Sequence, residues 1–427
     1  MNDKIMKNIT KKIVVVGGGF AGLNFVKQLA LDENFEVTLV DVNNYHSFQP
    51  LLYQVGMAFI EPSNISHPFR RLFQEKKNLR FHLGEFKRVN LQEKTIDTST
   101  GSLSYDELVL AAGTETNYFG MQNVMQHALP LKTISDATNL RNHIMLNMER
   151  AVRTTDPVER ESMLNIVVAG GGPSGVEVAG MLAEMSASLV PKEYPEIGNE
   201  RPSIFLVEAA PVVLGPMSRK SQEEAARVLK KLGVKIILNT AVKDYADGKV
   251  VLANGESIAT HSLIWASGVI GREIPGLPST SIGRGRRVIV DEWSKVKGSD
   301  NVYAIGDIAL QTSDANYPNG HPQLAQVAIQ HGKALAENFK RNVRKRPGIS
   351  FEYKNKGSMA IISKYNAVVD LPATFIKGTI AWIVWLFIHL IPIAGFRNKV
   401  SLALNWTWSF ITNDPTLRLI IRPKEQA

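Results

Sequence analysis

Gly17, Gly19 and Gly22 stand at the spacing G-x-G-x-x-G inside "KKIVVVGGGFAGLNFVKQLA". Gly170, Gly172 and Gly175 repeat that spacing in "LNIVVAGGGPSGVEVAGML", about 150 residues further on. The first glycine of such a turn permits a tight reversal. The second lets the backbone approach a pyrophosphate, and the third lets a helix pack closely on a strand. Each turn is followed by a strand-like run that ends in an acid: Asp41 closes "FEVTLVD" and Glu208 closes "PSIFLVE". A carboxylate at that place accepts hydrogen bonds from a ribose. Either glycine pattern alone would also suit a purely structural strand-to-helix turn. Strand, turn, helix, strand and acid, in order and twice over, predict two dinucleotide sites. Glu208 further favours NADH over NADPH, because a 2′-phosphate beside a carboxylate meets like charge.

The elements that must hold these residues follow the same order. Ile13–Val16 reads as a buried strand, and a second buried strand, Leu108–Ala111, runs into Ala112 and Gly113. "THSLIWASGVIG" repeats that form and turns at Gly268. In "SDNVYAIGDIAL" an apolar strand ends at Gly306-Asp307, either as an ordinary strand-terminal turn or, as in two-dinucleotide flavoproteins, to carry an acid to the ribityl chain of FAD. Pro322 precedes a helical run, which sets a helix N-terminus near Leu324. Gln326 and Gln330 are four apart and share one face of it, as they also would on a merely half-exposed helix. "ATNLRNHIMLNMERAV" reads as a connecting helix.

Composition narrows the chemistry. The 427 residues contain no cysteine, which excludes disulfides, thiolate metal sites and any dithiol redox centre. The net charge of +9 suits an acidic partner surface. No base-reading module accompanies it, so nucleic acid is not expected. The N-terminal "MNDKIMKNITKK" is polar and precedes a strand directly, without a stretch of signal-peptide type. No metal-ligating set stands out.

Within the two-dinucleotide flavoproteins the chain resembles the type II NADH dehydrogenases, single-subunit NADH:quinone oxidoreductases of respiratory membranes, over essentially its whole length. Three stretches carry the likeness. "NNYHSFQPLLYQV" is similar to the family segment leading from the FAD ribose acid to the flavin ring. "PQLAQVAIQHG" is similar to its quinone-site helix, and "GSMAIISKYNAVVD" to the segment before its C-terminal membrane region. Two residues depart from the pattern: Ser363 stands where many members have glycine, and His331 replaces a frequent glutamine.

The resemblance implies an α/β fold of two Rossmann-like domains with a C-terminal membrane-anchoring helical region. The expected division is 1–135 with 289–345 for FAD, 136–288 for NADH, and 346–427 for the anchor. FAD is implied as a non-covalent cofactor, NADH as substrate and a membrane quinone as acceptor. The candidate FAD residues are Gly17, Gly19, Phe20, Ala21, Gly22, Asp41, Gln49, Ala112, Gly113, Asp307, Ala325 and Gln326. Those for NADH are Gly170, Gly172, Pro173, Gly175, Glu177, Glu208 and Gly268. Glu177, Gln326, Gln330 and Lys364 are the catalytic candidates. The amides would bond a quinone carbonyl, and Glu177 would position groups near the nicotinamide or relay a proton. In their own right, Glu177 also suits a dipole-compensating first helical turn, and Lys364 a solvated loop. A homodimer on the cytoplasmic face of the cell inner membrane completes the expectation.

Disulfide reductases and sulfide:quinone oxidoreductases need redox cysteines and fall away. A ferredoxin-reductase-like or apoptosis-inducing-factor-like flavoprotein, or a non-catalytic NADH sensor, is the alternative.

"GTIAWIVWLFIHLIPIAGF", Gly378 to Phe396, lacks Asp, Glu, Lys and Arg. As one helix it would extend roughly 28 Å, near the thickness of bilayer hydrocarbon. Spanning would export Arg397, Lys399, Arg418, Arg422 and Lys424 with only Asp414 and Glu425 as acids, against the positive-inside rule. Pro392 and Gly395 interrupt the helix, Trp382 and Trp385 suit an interface, and "VSLALNWTWSFI" follows with Trp406 and Trp408. Two shallow helices gripping one leaflet are predicted, aided by the basic run Lys340 to Arg346. Truncation before Phe375 is expected to release the protein from membranes.

Overall fold

The computed structural model describes residues 10–198, 200–412 and 418–421. Asp414, Arg422, Lys424 and Glu425 of the charge argument lie outside them. In chain order the elements that matter begin with β1 (Lys11–Val16), α1 (Phe20–Gln28), β2 (Phe35–Asp41), β3 (Leu79–Leu83) and β4 (Glu107–Leu110). Next come β5 (Leu129–Pro130), β6 (Asn165–Ala169), α2 (Pro173–Ser188), β7 (Ser203–Val207), β8 (Lys235–Ile237) and β9 (Ser262–Trp265). The last are β10 (Val302–Ala304), α3 (Ala325–Val343), β11 (Ser358–Ser363), β12 (Asn366–Leu371), β13 (Thr374–Lys377), α4 (Gly378–Leu390) and α5 (Phe396–Thr412).

These form two compact units. One holds the described residues up to Ser47, His67–Glu115 and Val269–Asn355; the other holds Phe48–Ser66, Thr116–Gly268 and the described residues from Lys356 onward. The chain changes unit two residues past Gly113 and directly after Gly268. This grouping departs from the sequence-derived boundaries, because the strands before those glycines each close a sheet. Residues 48–66 and the C-terminal region both group with the second unit.

Each unit is built on a five-stranded parallel sheet, ordered β10-β4-β1-β2-β3 in the first and β5-β9-β6-β7-β8 in the second. The order reverses beside β1 and β6, so a crevice opens at their C-terminal ends, where such folds bind ligands. Val and Ile fill the central strands because both faces are covered: Ile13–Val16 and all of β6 and β9 are buried. In the first unit Phe339 meets Phe25 edge-on and Phe35 at a tilt, tying α1 and α3 to the strands.

In the second unit β11-β12-β13 make an antiparallel sheet, followed by α4 and α5. The break between the helices falls at Ile391–Gly395, with Gly395 at φ 83°. No helix among the described residues is long and apolar enough to cross a membrane. One face of the pair is exposed and apolar. Ile380, Ile383 and Phe387 recur on α4, and Phe396, Val400, Leu404, Trp408 and Ile411 on α5. The other face is core. Trp382, Trp385 and Trp406 are buried against protein, which corrects the expectation that the first two sit at an interface. Their indoles are broad enough to fill the space beneath the helices, and Trp385 stacks on His389 at 4.0 Å.

Candidate functional site

The first glycine turn joins β1 to α1. Gly17 has φ 102°, and a Cβ there would stand 2.4 Å from the Ala111 carbonyl oxygen. A Cβ on Gly22 would stand 2.0 Å from the Gly17 oxygen, so the helix packs on the strand as the spacing predicts. Gly19, the N-cap of α1, has nothing within 4 Å of that position and leaves the turn open to a ligand. Asp41 is fixed through both oxygens: Gly18 N–H donates to Oδ2 at 2.7 Å and Asn43 N–H to Oδ1 at 2.8 Å. Burial pushes its carboxyl above the usual range, against these amides and Arg272.

The second turn repeats this atom for atom. Gly170 has φ 106° with its Cβ position 2.6 Å from the Ala266 oxygen, and that of Gly175 lies 1.8 Å from the Gly170 oxygen. Gly172 is open, and Pro173 occupies the first helical turn of α2, where its missing N–H costs nothing. Gly171 N–H donates to Glu208 Oε2, and Ala210 N–H to Oε1 at 2.7 Å. Gly268 has φ 146° and accepts from Asn117 N–H.

Sequence reading missed the residue that braces the first turn. His46 Nδ1 lies 2.9 Å from the Gly18 oxygen, and a carbonyl only accepts, so Nδ1 carries the proton. Burial pushes this imidazole down to about 4.

Three elements converge beside that turn. A Cβ on Gly306 would stand 2.8 Å from Ala21 Cβ and 3.5 Å from Ala328 Cβ, and one on Gly332 2.2 Å from the Ala21 oxygen. The start of α1, the Asp307 turn and the start of α3 therefore meet at backbone distance. This brings Asp307, Ala325 and the first glycine turn together, while Gly113 (φ 69°) follows β4 with Ala112 against the core. Leu324, extended, is the N-cap of α3, as the sequence predicts. Gln326 is half-buried on its first turn. Gln330 is already engaged: its amide donates to the Lys354 oxygen at 2.9 Å and accepts from Lys354 N–H at 3.1 Å.

His331 is a working part of the same turn. Gly306 N–H donates to Nδ1 at 3.2 Å, so Nε2 carries the hydrogen given to Ser294 Oγ at 2.7 Å. The neutral ring stacks on Phe351 at 4.3 Å, and burial pushes it down to about 3.

In the second unit α2 lies along β11 through one line of residues. Glu177, Gly180 and Glu184 stand at i, i+3 and i+7, on one face. Glu177 is buried, takes a hydrogen bond from the Ile361 backbone, and is pushed well above the usual carboxyl range by burial. Gly180 lets the strand touch: its Cβ would stand 1.6 Å from the Ile362 oxygen. Glu184 Oε1 accepts from Lys364 N–H at 2.7 Å, and burial pushes its carboxyl pKa up to about 7. The Lys364 ammonium donates to the Phe410 oxygen at 2.7 Å and lies 4.9 Å over the Tyr365 ring. Two acids and a glycine on an otherwise apolar helix were a readable signal for Glu184.

The buried Tyr53 phenol is pushed up by burial and by the Glu177 charge. Gln54 Nε2 donates to Tyr53 Oη at 3.1 Å, and Trp406 Nε1 donates to Gln54 Oε1 at 2.8 Å. A hydrogen-bonded chain thus runs from α5 through Gln54 to Tyr53, which lies within electrostatic reach of Glu177 and Glu184. Gln49, the residue named from the sequence, is instead exposed at the start of a short turn.

Residues 11–332 match the family model described as pyridine nucleotide-disulphide oxidoreductase, and residues 355–413 match the NDH2 C-terminal domain. The type II NADH:quinone oxidoreductases Ndh and NdhA of Mycobacterium tuberculosis are 32% and 35% identical to the chain. Each match covers 94% of this chain, and 88% and 87% of those relatives. This chain belongs to the type II NADH:quinone oxidoreductase family. Its fold agrees. NDH2 of Plasmodium falciparum, solved in complex with NADH, superposes with a TM-score of 0.87 at 23% identity, covering 97% of this chain and 100% of that one. The sulfide:quinone oxidoreductase of Aquifex aeolicus shares the fold more distantly, with a TM-score of 0.72 at 18% identity and coverage of 97% and 96%. This type II chain has no cysteine with which to handle sulfide.

Proposed function

We propose that this chain binds FAD at the first glycine turn and NADH at the second, and passes two electrons to a membrane quinone without pumping protons: NADH + H⁺ + quinone gives NAD⁺ + quinol. The duplicated turn carries the reading. Each copy has an open central glycine at a helix N-terminus and an acid pinned by a turn amide. An open glycine and a free helix end fit pyrophosphate, and the acid fits a ribose, so the residues present suit both dinucleotides. FAD, when bound, supplies the redox chemistry, and the protein supplies position and field.

The chain's own residues divide the remaining work. Asp41 and Glu208 orient the two riboses, and His331 holds the turn that presents Asp307. The N-terminal turn of α3 brings its positive dipole end to the first site, which favours negative charge there. Gln326 is the amide proposed to meet a quinone carbonyl. Glu177 keeps a proton inside the second unit, and its role is to position or supply it. Lys364 anchors the end of β11 to α5 through the Phe410 oxygen. The apolar stripe of α4 and α5 seats the protein on the bilayer surface in which the quinone dissolves. A homodimer on the cytoplasmic face of the inner membrane belongs to the same proposal.

The test is direct. The purified protein should be yellow with bound flavin and should oxidise NADH with several quinones as acceptors. A colourless protein unable to take up FAD would overturn the reading.

A further inference from the structure

The parallel sheet of the first unit has a second end. Dinucleotide chemistry belongs to the C-terminal ends of its strands. At the N-terminal ends lies a cavity of about 370 Å³, the size of a small-molecule site. Lys11, Phe35 and Glu107, the opening residues of β1, β2 and β4, line it, together with the last turns of α3. The first α3 residue that lines it, Leu335, is ten residues from Ala325, so the cavity begins roughly 15 Å along the helix from the α3 N-terminus.

Its polar chemistry is unfinished. Glu107 is nine-tenths buried. Its Oε1 accepts from Lys11 Nζ at 2.7 Å, but Oε2 is buried without a hydrogen-bond partner among the described residues. A buried carboxylate oxygen without a donor is costly, so an arriving N–H has much to gain there. Burial first, and then the charges of Glu107 and Asp291, push the Tyr303 phenol upward.

The walls are aromatic. Tyr303 and Phe339 meet edge-on at 5.1 Å, and Trp293 stands on the rim, 45% exposed. The indole has a built seat. Asp291 Oδ1 accepts from the Trp293 and Lys295 amides at 3.0 and 2.8 Å, which fixes the turn. Gly348 makes room for the ring, since a Cβ there would stand 2.9 Å from Trp293 Cδ1. Lys295 and Arg346 also line the cavity and bring positive charge to it.

We propose that this cavity binds an amino-substituted heteroaromatic ring carrying an anionic arm, of the adenine nucleotide kind, independently of the two dinucleotide sites. The Glu107 carboxylate turns toward the cavity, and the ring amine donates to Oε2. The ring lies against Trp293, and the phosphate meets Lys295 and Arg346. The second end of the sheet thereby becomes a ligand site remote from the chemistry.

The test titrates the flavin-loaded protein with AMP under saturating NAD⁺, following tryptophan fluorescence and binding heat. Saturable binding is expected. Purine riboside 5′-monophosphate, which lacks the amine, should bind at least about tenfold more weakly. Trp293→Ala should weaken AMP binding by a similar factor, with flavin content and NADH oxidation at parental levels. Glu107→Gln should abolish the preference for the amine. Loss of AMP binding once NAD⁺ saturates would overturn the proposal. So would parental affinity in Trp293→Ala, or equal affinity for the two nucleotides in the parent.

Discussion

Glu184 sets a pH dependence whose sign can be worked out. Its carboxyl is pushed from the ordinary 4.5 up to about 7, first by burial, with the Lys364 amide and charge opposing. The folded state therefore holds a proton that the unfolded state has released. Stability falls as pH rises from about 4.5 through about 7, by at most about 3 kcal/mol. Glu184→Gln keeps an acceptor for Lys364 N–H and removes the titration. Its melting temperature should change less between pH 5 and pH 8 than the parent's, and parallel profiles would remove Glu184 from this role. Glu208 predicts cofactor choice. With NADH bound at the second turn as proposed, the Glu208 charge would face a 2′-phosphate, so kcat/KM should favour NADH over NADPH by at least about tenfold, and Glu208→Gln should narrow the gap. Equal efficiency in the parent would refute this. At this scale the glycines and both acids were legible, because their chemistry imposes fixed spacing. His46, Gln54 and the bracing role of His331 were not, because each acts through a partner distant in sequence. His331 reaches back 25 residues to Gly306, and Gln54 forward 352 to Trp406.

Two helices owe their seats to a missing Cβ. Gly180→Ala would place a carbon 1.6 Å from the Ile362 oxygen, a backbone atom that moves only with its strand. The expected cost is about 1–3 kcal/mol, seen as a lower unfolding midpoint. Gly332→Ala meets the Ala21 oxygen at 2.2 Å, forcing α3 off α1 beside the Asp307 turn. It should lose flavin on gel filtration more readily than the parent; full retention would contradict the convergence described there. Both glycines were visible in helical patterns, yet nothing local says which partner they admit. The sheets were easier. Runs such as Ile13–Val16 and Ile166–Val168 are buried on both faces, and apolar β-branched residues bounded by glycine announce such strands.

For the whole molecule, the proposed membrane seating rests on surface side chains, since no helix among the described residues is long and apolar enough to span. Truncation before Phe375 would also strip away Trp385, fully buried, and Trp406 with its bond to Gln54. A double change on the stripe, Phe387→Glu with Leu404→Glu, is the cleaner experiment, since both residues are about two-thirds exposed. It should abolish sedimentation with lipid vesicles and spare NADH oxidation by a water-soluble acceptor. Persistent vesicle binding would place the anchor elsewhere. The sequence announced two apolar segments but not which tryptophans each would hide, since that depends on what packs beneath α4. The stripe also has a colloidal consequence. In plain buffer only further copies of the same face can shield it, so purified protein should scatter light as large, uneven particles. A mild detergent should collapse them to one size, and the mass measured there is the one that reports how many chains associate.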